Sequence, residues 1–125
     1  MNLTDAREKL AAALAPVAST DPDVLVSLVD SIEPPALMIG WGDPWIEPDT
    51  VCFMRGRLVI TAVAARMAPG EGVAKLEDLV NYVLGRLRAD TGAWPLEQVA
   101  QPRAFLMAKT NYIASQITVR TTITT

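Results

Sequence analysis

A short acidic and aromatic segment holds the side chains best suited to chemistry in this chain. Asp43, Glu47 and Asp49 lie close together in sequence, beside Trp41 and Trp45. Carboxylates at this spacing could bind a hard cation or form a general acid and base pair. The segment lacks the alternating oxygen ligands and the glycine of a calcium loop. Two interpretations remain: a solvated loop whose Trp rings pack on a sheet edge, and an interaction loop whose aromatic side chains contact a partner.

Three other motifs are weaker indications of chemistry. Gly70-Glu71-Gly72 precedes a predicted helix, but it lacks the Lys-Ser/Thr of a phosphate loop, so we expect a turn. Gly40 and Gly42 are followed by a proline rather than a helix, which excludes a dinucleotide-binding fingerprint. Cys52 lies in an apolar run, so we expect a buried and inert thiol.

The residue types argue against catalysis. The chain contains no histidine, and nucleophilic catalysis needs a base beside the attacking group. Lys9, Lys75, Lys109 and the carboxylates could serve as bases, but no spacing pairs them with a nucleophile. We therefore expect a protein that is not an enzyme, with no catalytic residue, cofactor or metal.

Composition indicates a single domain spanning residues 1–125, since 125 residues and 13.5 kDa are near the usual domain size. The net charge of −3 and scattered basic residues disfavour direct nucleic-acid recognition. Mean hydropathy is high, at +0.24, which predicts either an unusually complete core or apolar surface buried against partners. No run approaches the roughly 18 apolar residues of a membrane span, so we expect no membrane contact.

The final residues give the clearest structural signal. From Tyr112 to Thr125 the side chains alternate strictly, with Ile113, Ile117 and Val119 on one face. This period of two, with many β-branched residues, predicts a half-buried strand. Chain ends usually fray, so such a terminus is expected to pair within a sheet, either in its own subunit alone or with a neighbouring subunit as well.

Two helices are predicted. The first begins with Thr4 as N-cap and ends near Pro16. The second, stronger helix is expected to stop near Gly92, which can form a C-terminal cap. Its apolar stripe has helical spacing and is wide enough to cover a sheet. The stripe consists of Val73, Leu76, Leu79, Val80, Val83, Leu84 and Leu87.

The remaining apolar runs predict strands. Two prolines and a glycine predict a loop at Gly42–Asp49, and Arg55-Gly56-Arg57 predicts either a bulge or a tight hairpin. Helices at two points only, rather than after every strand, favour an α+β fold with a mainly antiparallel or mixed sheet. The predicted strands are Val24–Val29, Ala36–Trp41, Val51–Met54, Leu58–Ala65, Leu96–Ala100 and Arg103–Lys109.

This organisation resembles the tail terminator and tail-completion proteins of long-tailed (siphovirus-type) bacteriophages. The resemblance covers roughly residues 4–124 and rests on the Pro-Pro-Ala-Leu-Met-Ile strand, the amphipathic helix, Trp94-Pro95 and the final strand. The last of these has a Tyr-x-Ala-x-x-Ile-x-Val pattern, here Tyr112, Ala114, Ile117 and Val119.

The resemblance implies a structural virion protein at the tail–head junction, assembled in the host cytoplasm. Such proteins form a hexameric ring on the head-proximal end of the tail tube. The ring stops polymerisation of the major tail tube protein and offers a docking surface to the head–tail connector. No cofactor or catalytic residue is expected of the family. The residues themselves place Trp41, Asp43, Trp45, Glu47 and Asp49 in a candidate interaction loop.

Two alternatives stay open from the sequence. A connector or stopper protein of the same neck is similar in size and equally poor in catalytic residues. A dimeric ferredoxin-like module that carries a small apolar ligand between helix and sheet is the alternative from another class.

Overall fold

The computed structural model describes residues 2–14, 23–25, 35–48, 53–66, 72–90, 94–107 and 109–124. Within them, two helices lie on one face of a six-stranded sheet. The α+β class predicted from the sequence is confirmed. In chain order the elements are α1 (Leu3–Leu14), β1 (Asp23–Leu25), β2 (Ala36–Pro48), β3 (Phe53–Arg66), α2 (Gly72–Ala89), β4 (Leu96–Val99), β5 (Arg103–Met107) and β6 (Thr110–Thr124).

The sheet is mixed and mainly antiparallel. Its strand order is β1-β2-β3-β6-β4, and β5 also pairs with β6. Only the β1–β2 pair is parallel among the described strands. Strands β4 and β5 follow one another along the same side of β6, β4 opposite residues 117–119 and β5 opposite residues 110–114. The β4–β5 line and the outer side of β2 are therefore at opposite edges of the sheet.

The chain terminus forms strand β6, as predicted, but the expectation of a half-buried strand was wrong, because side chains on both of its faces are buried. It pairs with β3 along its length, from Thr124 opposite Phe53 to Tyr112 opposite Arg66. Ile117 on one face is fully buried, and Ala114 on the other face is almost fully buried. Because β6 has neighbouring strands on both sides, its backbone hydrogen bonds are made within the sheet, and these bonds hold the terminal segment in a strand.

The main core lies between the helices and the sheet, on what we call the helix face. Helix α1 contributes Ala6, Leu10 and Leu14, while Val73 and Leu84 of the predicted α2 stripe are not in the core. The buried α2 residues of this core are Leu76, Leu79, Val83 and Leu87, and the partly buried Val80 and Tyr82 pack against it. The second face carries a smaller cluster of Met38, Val63, Tyr112 and Ala114, with Phe105 packed against it.

Both ends of α1 are held by side chains. The Asn2 carboxamide oxygen accepts a hydrogen bond from the Asp5 amide at 2.8 Å, so Asn2 is the N-cap and the prediction of Thr4 was wrong. At the other end, the Tyr82 hydroxyl donates to the Leu14 carbonyl at 2.9 Å, and Arg86 Nε donates to the Ala13 carbonyl at 3.0 Å. These bonds satisfy carbonyls that the last turn leaves without an intrahelical donor.

The predicted loop at Gly42–Asp49 was wrong over its described part, because β2 continues to Pro48. The strand tolerates the prolines through a bulge: its pairing with β3 shifts between Trp41 and Ile46, which leaves Pro44 outside the paired positions. The Asp43–Pro44 peptide bond is cis.

The Arg55-Gly56-Arg57 segment is neither a hairpin nor a bulge. Gly56 lies inside the continuous strand β3, paired with Ile46 on one side and Thr121 on the other. A β-carbon at Gly56 would collide with the side chain of Ile123. Close packing rather than a turn therefore favours glycine there, since a larger residue would need the end of the Ile123 side chain to move.

Several predictions fall partly or wholly outside the described residues. These are the ends of the two helices near Pro16 and Gly92, the strand at 24–29 beyond Leu25, the first two residues of the strand at 51–54, the buried thiol of Cys52, and the turn at 70–72 before Gly72.

Candidate functional site

The aromatic residues of the predicted interaction segment lie together on the helix face. Trp41 pairs with Leu58, a core residue, so both side chains lie on the same face of the sheet. The rings of Trp41 and Trp45 meet edge to face, with centroids 5.7 Å apart. Despite this contact, 51% of Trp41 and 43% of Trp45 remain exposed. Two half-exposed tryptophans side by side are typical of a contact surface.

These rings form one wall of a cavity of about 280 Å³, which we call the tryptophan pocket. It lies beside the first turns of α1, where Asn2 fixes the start of the helix. The pocket is lined by Leu3, Thr4, Arg7, Trp41, Trp45 and Leu58.

Arg7 gives the tryptophan pocket a polar group. Its Nε atom is buried and finds no hydrogen-bond partner among the described residues. A buried donor without an acceptor is costly, since it loses its bonds to water without replacement. A group that brought an acceptor to this atom would therefore be favoured.

The carboxylates of the predicted cluster do not join the tryptophans. Glu47 pairs with Arg55 across β2 and β3, and it lies on the second face with the side chain of Arg57. Asp43 is exposed in the bulge of β2. Asp49 lies outside the described residues. The segment therefore holds two separate features, an aromatic pocket on one face and an ion-pair cluster on the other.

The ion-pair cluster centres on Arg57. Its Nη2 lies 2.8 Å from Glu47 Oε1, and its Nε lies 2.7 Å from Glu97 Oε2. Arg55 Nη1 also approaches Glu47 Oε1, at 3.4 Å. Arg57 thus connects β2, β3 and β4 across the second face of the sheet.

These contacts shift the pKa values in opposite directions. The hydrogen bond from Arg57, with its positive charge and that of Arg55, holds the pKa of Glu47 below its ordinary value, outweighing partial burial. The hydrogen bonds to Glu97 and then to Glu47 raise the pKa of Arg57. Both partners therefore stay charged near neutral pH. Sequence reasoning missed Arg57 and Glu97 because they lie 40 positions apart and meet only through the sheet.

A second group of exposed apolar side chains lies at the opposite edge of the sheet. Leu96, Val99 and Leu106 on β4 and β5 are exposed, Leu106 to 67%. We call these three residues the apolar edge; they are spread along β6, since Leu96 lies opposite Val119 and Leu106 lies opposite Asn111. A groove of about 230 Å³ separates α2 from this line of strands. It is lined by Leu76, Glu77, Val80, Asn81, Val99, Ala100, Pro102 and Ser115.

The sequence contained a signal for the apolar edge. In β4 the apolar residues are three positions apart, so they do not follow the alternation that marks a half-buried strand. The structure shows all four residues of β4 exposed. Leu96-Glu97-Gln98-Val99 mixes apolar and polar residues without a buried face, which is typical of a strand that borders solvent or a partner.

The described residues contain no group of three or more His, Cys, Asp or Glu side chains placed to hold a metal ion. In the same residues no helix has the length and apolar character required to cross a membrane. No protein-family model matches the chain, and a search of curated proteins gave no match.

Proposed function

We propose that the chain is a ring-forming structural protein of a long-tailed bacteriophage. A hexamer would sit at the head-proximal end of the tail tube, end polymerisation of the major tail tube protein and present a docking surface to the head–tail connector. Its place would be the tail–head junction of the virion, after assembly in the host cytoplasm. It would act through surfaces, without catalysis or a cofactor.

The position of the exposed apolar side chains supports this proposal most directly. Trp41 and Trp45 lie at the β2 side of the sheet, while Leu96, Val99 and Leu106 lie at the β4–β5 side. Exposed apolar surface in a small domain marks a contact with another molecule. Two such surfaces on opposite sides of one domain suit a head-to-tail assembly, in which every copy uses both.

The strand edges support the same proposal. Among the described strands, the β4–β5 line borders the sheet, and β1 pairs with only residues 36–38 on the outer side of β2. Exposed edges are prone to uncontrolled pairing. A closed ring would cover both edges in every copy, whereas a monomer would leave them exposed.

Electron microscopy of tail tubes tests the function. Tubes polymerised from the tail tube protein of the same phage would be mixed with the purified chain and imaged by negative stain. We expect a ring density at one end of the tube and an arrest of elongation when more tube protein is added. Bare tube ends, or tubes that elongate normally, would contradict the proposal.

A connector or stopper role in the same neck remains the alternative. A stopper would join the head side of the neck and leave bare tubes unchanged. The same mixing experiment, repeated with purified connector in place of tubes, separates the two roles.

A further inference from the structure

We infer that the second face of the sheet binds an acidic segment of a partner protein, through a carboxylate held by Arg120. The exposed side chains of Trp41, Leu96 and Val99, which carry the proposed assembly, lie on the helix face, because their paired residues belong to the main core. The second face is a separate surface. The inference therefore goes beyond the proposed ring and does not depend on it.

Arg120 lies among other arginines on the second face. It is paired with Arg57 of β3, so the two side chains project from the same face. Arg55 is paired with Thr122, the next position of β6 on this face. Pairing of β3 with β6 thus brings three arginines together. Like charges directly opposite one another on neighbouring strands are destabilising.

The carboxylates of this cluster are both bound to Arg57. Its Nη2 lies 2.8 Å from Glu47 Oε1, and its Nε lies 2.7 Å from Glu97 Oε2. The bond to Glu97 passes from β3 to β4 across β6, the strand that carries Arg120. With Arg120 included, the cluster has three guanidinium groups and two carboxylates. It therefore carries an excess positive charge.

Arg120 is the arginine of this cluster that is left without a partner. Within the described part of the chain, its guanidinium makes no hydrogen bond or ion pair. Among the groups that lower the pKa of Glu47, Arg57 acts most strongly and Arg120 least. The Nε of Arg120 is enclosed. Its two terminal nitrogens are not enclosed in this way, so they are the atoms that a partner can reach.

The surroundings of Arg120 make it costly for the isolated domain. An enclosed donor without an acceptor is unfavourable, and the charge of Arg57 opposite adds repulsion. Residues that break such rules are expected at functional sites. A carboxylate placed against the terminal nitrogens would balance the excess charge and accept charge-assisted hydrogen bonds.

An acidic protein segment fits this surface better than a nucleic acid does. Glu47 and Glu97 each remain 32% exposed, so a phosphate backbone would meet two negative charges beside the arginines. Surfaces that bind nucleic acids instead carry clustered basic residues. A single uncompensated guanidinium is matched by a single carboxylate. The exposed Thr122 adds a hydroxyl donor on the same face.

Fluorescence anisotropy with a labelled, end-capped hexaglutamate peptide tests the inference at low ionic strength, where charges are little screened. We expect saturable binding that added salt weakens. Arg120→Gln should raise the dissociation constant about tenfold or more, as for loss of a charged hydrogen bond. Arg88→Gln removes the same charge from an exposed position on α2. It is the matched control and should leave the dissociation constant unchanged.

Urea unfolding shows whether Arg120 serves binding or the fold. Arg120→Gln removes the repulsion with Arg57, and the replaced Nε had no acceptor to lose. The variant should therefore unfold at the same urea midpoint as the wild type, or at a higher one. A clearly lower midpoint would assign Arg120 to the fold and overturn the inference.

Three binding results would also overturn the inference. The first is no binding of hexaglutamate, or equal dissociation constants for the wild type and Arg120→Gln. The second is equal binding of a hexaglutamine peptide, which would show that charge is not recognised. The third is tighter binding of a labelled DNA duplex, which would assign the second face to nucleic acid. None of these results concerns the capping of tubes, so the proposed function would stand.

Discussion

Arg57 shows how single side chains hold the second face of the sheet. Its guanidinium contacts Glu47 at 2.8 Å and Glu97 at 2.7 Å, so one side chain of β3 is tied to both β2 and β4. An isolated exposed ion pair contributes little to stability. Here one guanidinium serves two carboxylates, which costs less side-chain entropy than two separate pairs. The cluster therefore favours one arrangement of three strands.

The lowered pKa of Glu47 makes a pH dependence predictable. Because the folded state holds Glu47 deprotonated, the stabilisation is fully present above the ordinary pKa of 4.5 and is lost as pH falls through the lower, folded pKa. We expect Glu47→Gln to lower the urea midpoint at pH 7, and the gap from wild type to shrink as pH falls below about 4.5.

The control is the same substitution in an Arg57→Met background. Without its main partner, Glu47 should titrate closer to its ordinary range, and Glu47→Gln should then change the urea midpoint far less. A gap that stays constant from pH 7 to pH 3 would exclude Arg57 as the cause.

At the scale of elements, packing against the sheet decides which sequence patterns are realised. The alternation of β6 and part of the α2 stripe could be predicted because each depends on a local period. The β2 segment after Trp41 could not, since Pro44 and Gly42 suggest a loop and only the bulge against β3 reconciles them with a strand. The contact of Arg57 with Glu97 depends on sheet order, which no local pattern specifies.

The candidate site divides in the same way. The closeness of Trp41 and Trp45 follows from their spacing in sequence, and their role as a contact surface stays a prediction. Arg7 could not be predicted as part of it. It lies on α1, and the fold alone brings it to the tryptophan pocket beside Trp41 and Trp45.

Alanine substitutions at two glycines give a matched test of packing. Gly56→Ala should reduce the free energy of unfolding by about 1–3 kcal/mol, because the added methyl group meets Ile123 in a filled space. Gly85→Ala, exposed on α2 with nothing within 4 Å of the new carbon, should instead raise it by about 0.5–1 kcal/mol. Urea unfolding measures both. A neutral Gly56→Ala would contradict this prediction and would show that the end of the Ile123 side chain moves aside for the methyl group.

At the scale of the whole molecule, the two edges of the sheet carry the surfaces through which we propose that it assembles. The β2 edge carries the tryptophan pocket, and the β4–β5 edge carries the apolar edge. The core lies between the helices and the sheet. A domain built in this way exposes different apolar side chains at opposite edges of the same face. Head-to-tail association explains that arrangement better than a two-fold dimer does.

Native mass spectrometry of the wild-type chain over a range of concentrations, followed by negative-stain imaging with tail tubes, tests the central proposal most directly. We expect closed rings of six copies, formed in solution or on the tube, and one ring at the end of each tube. A stable two-fold dimer that ignores the tubes would contradict the proposal and favour a ligand-binding module.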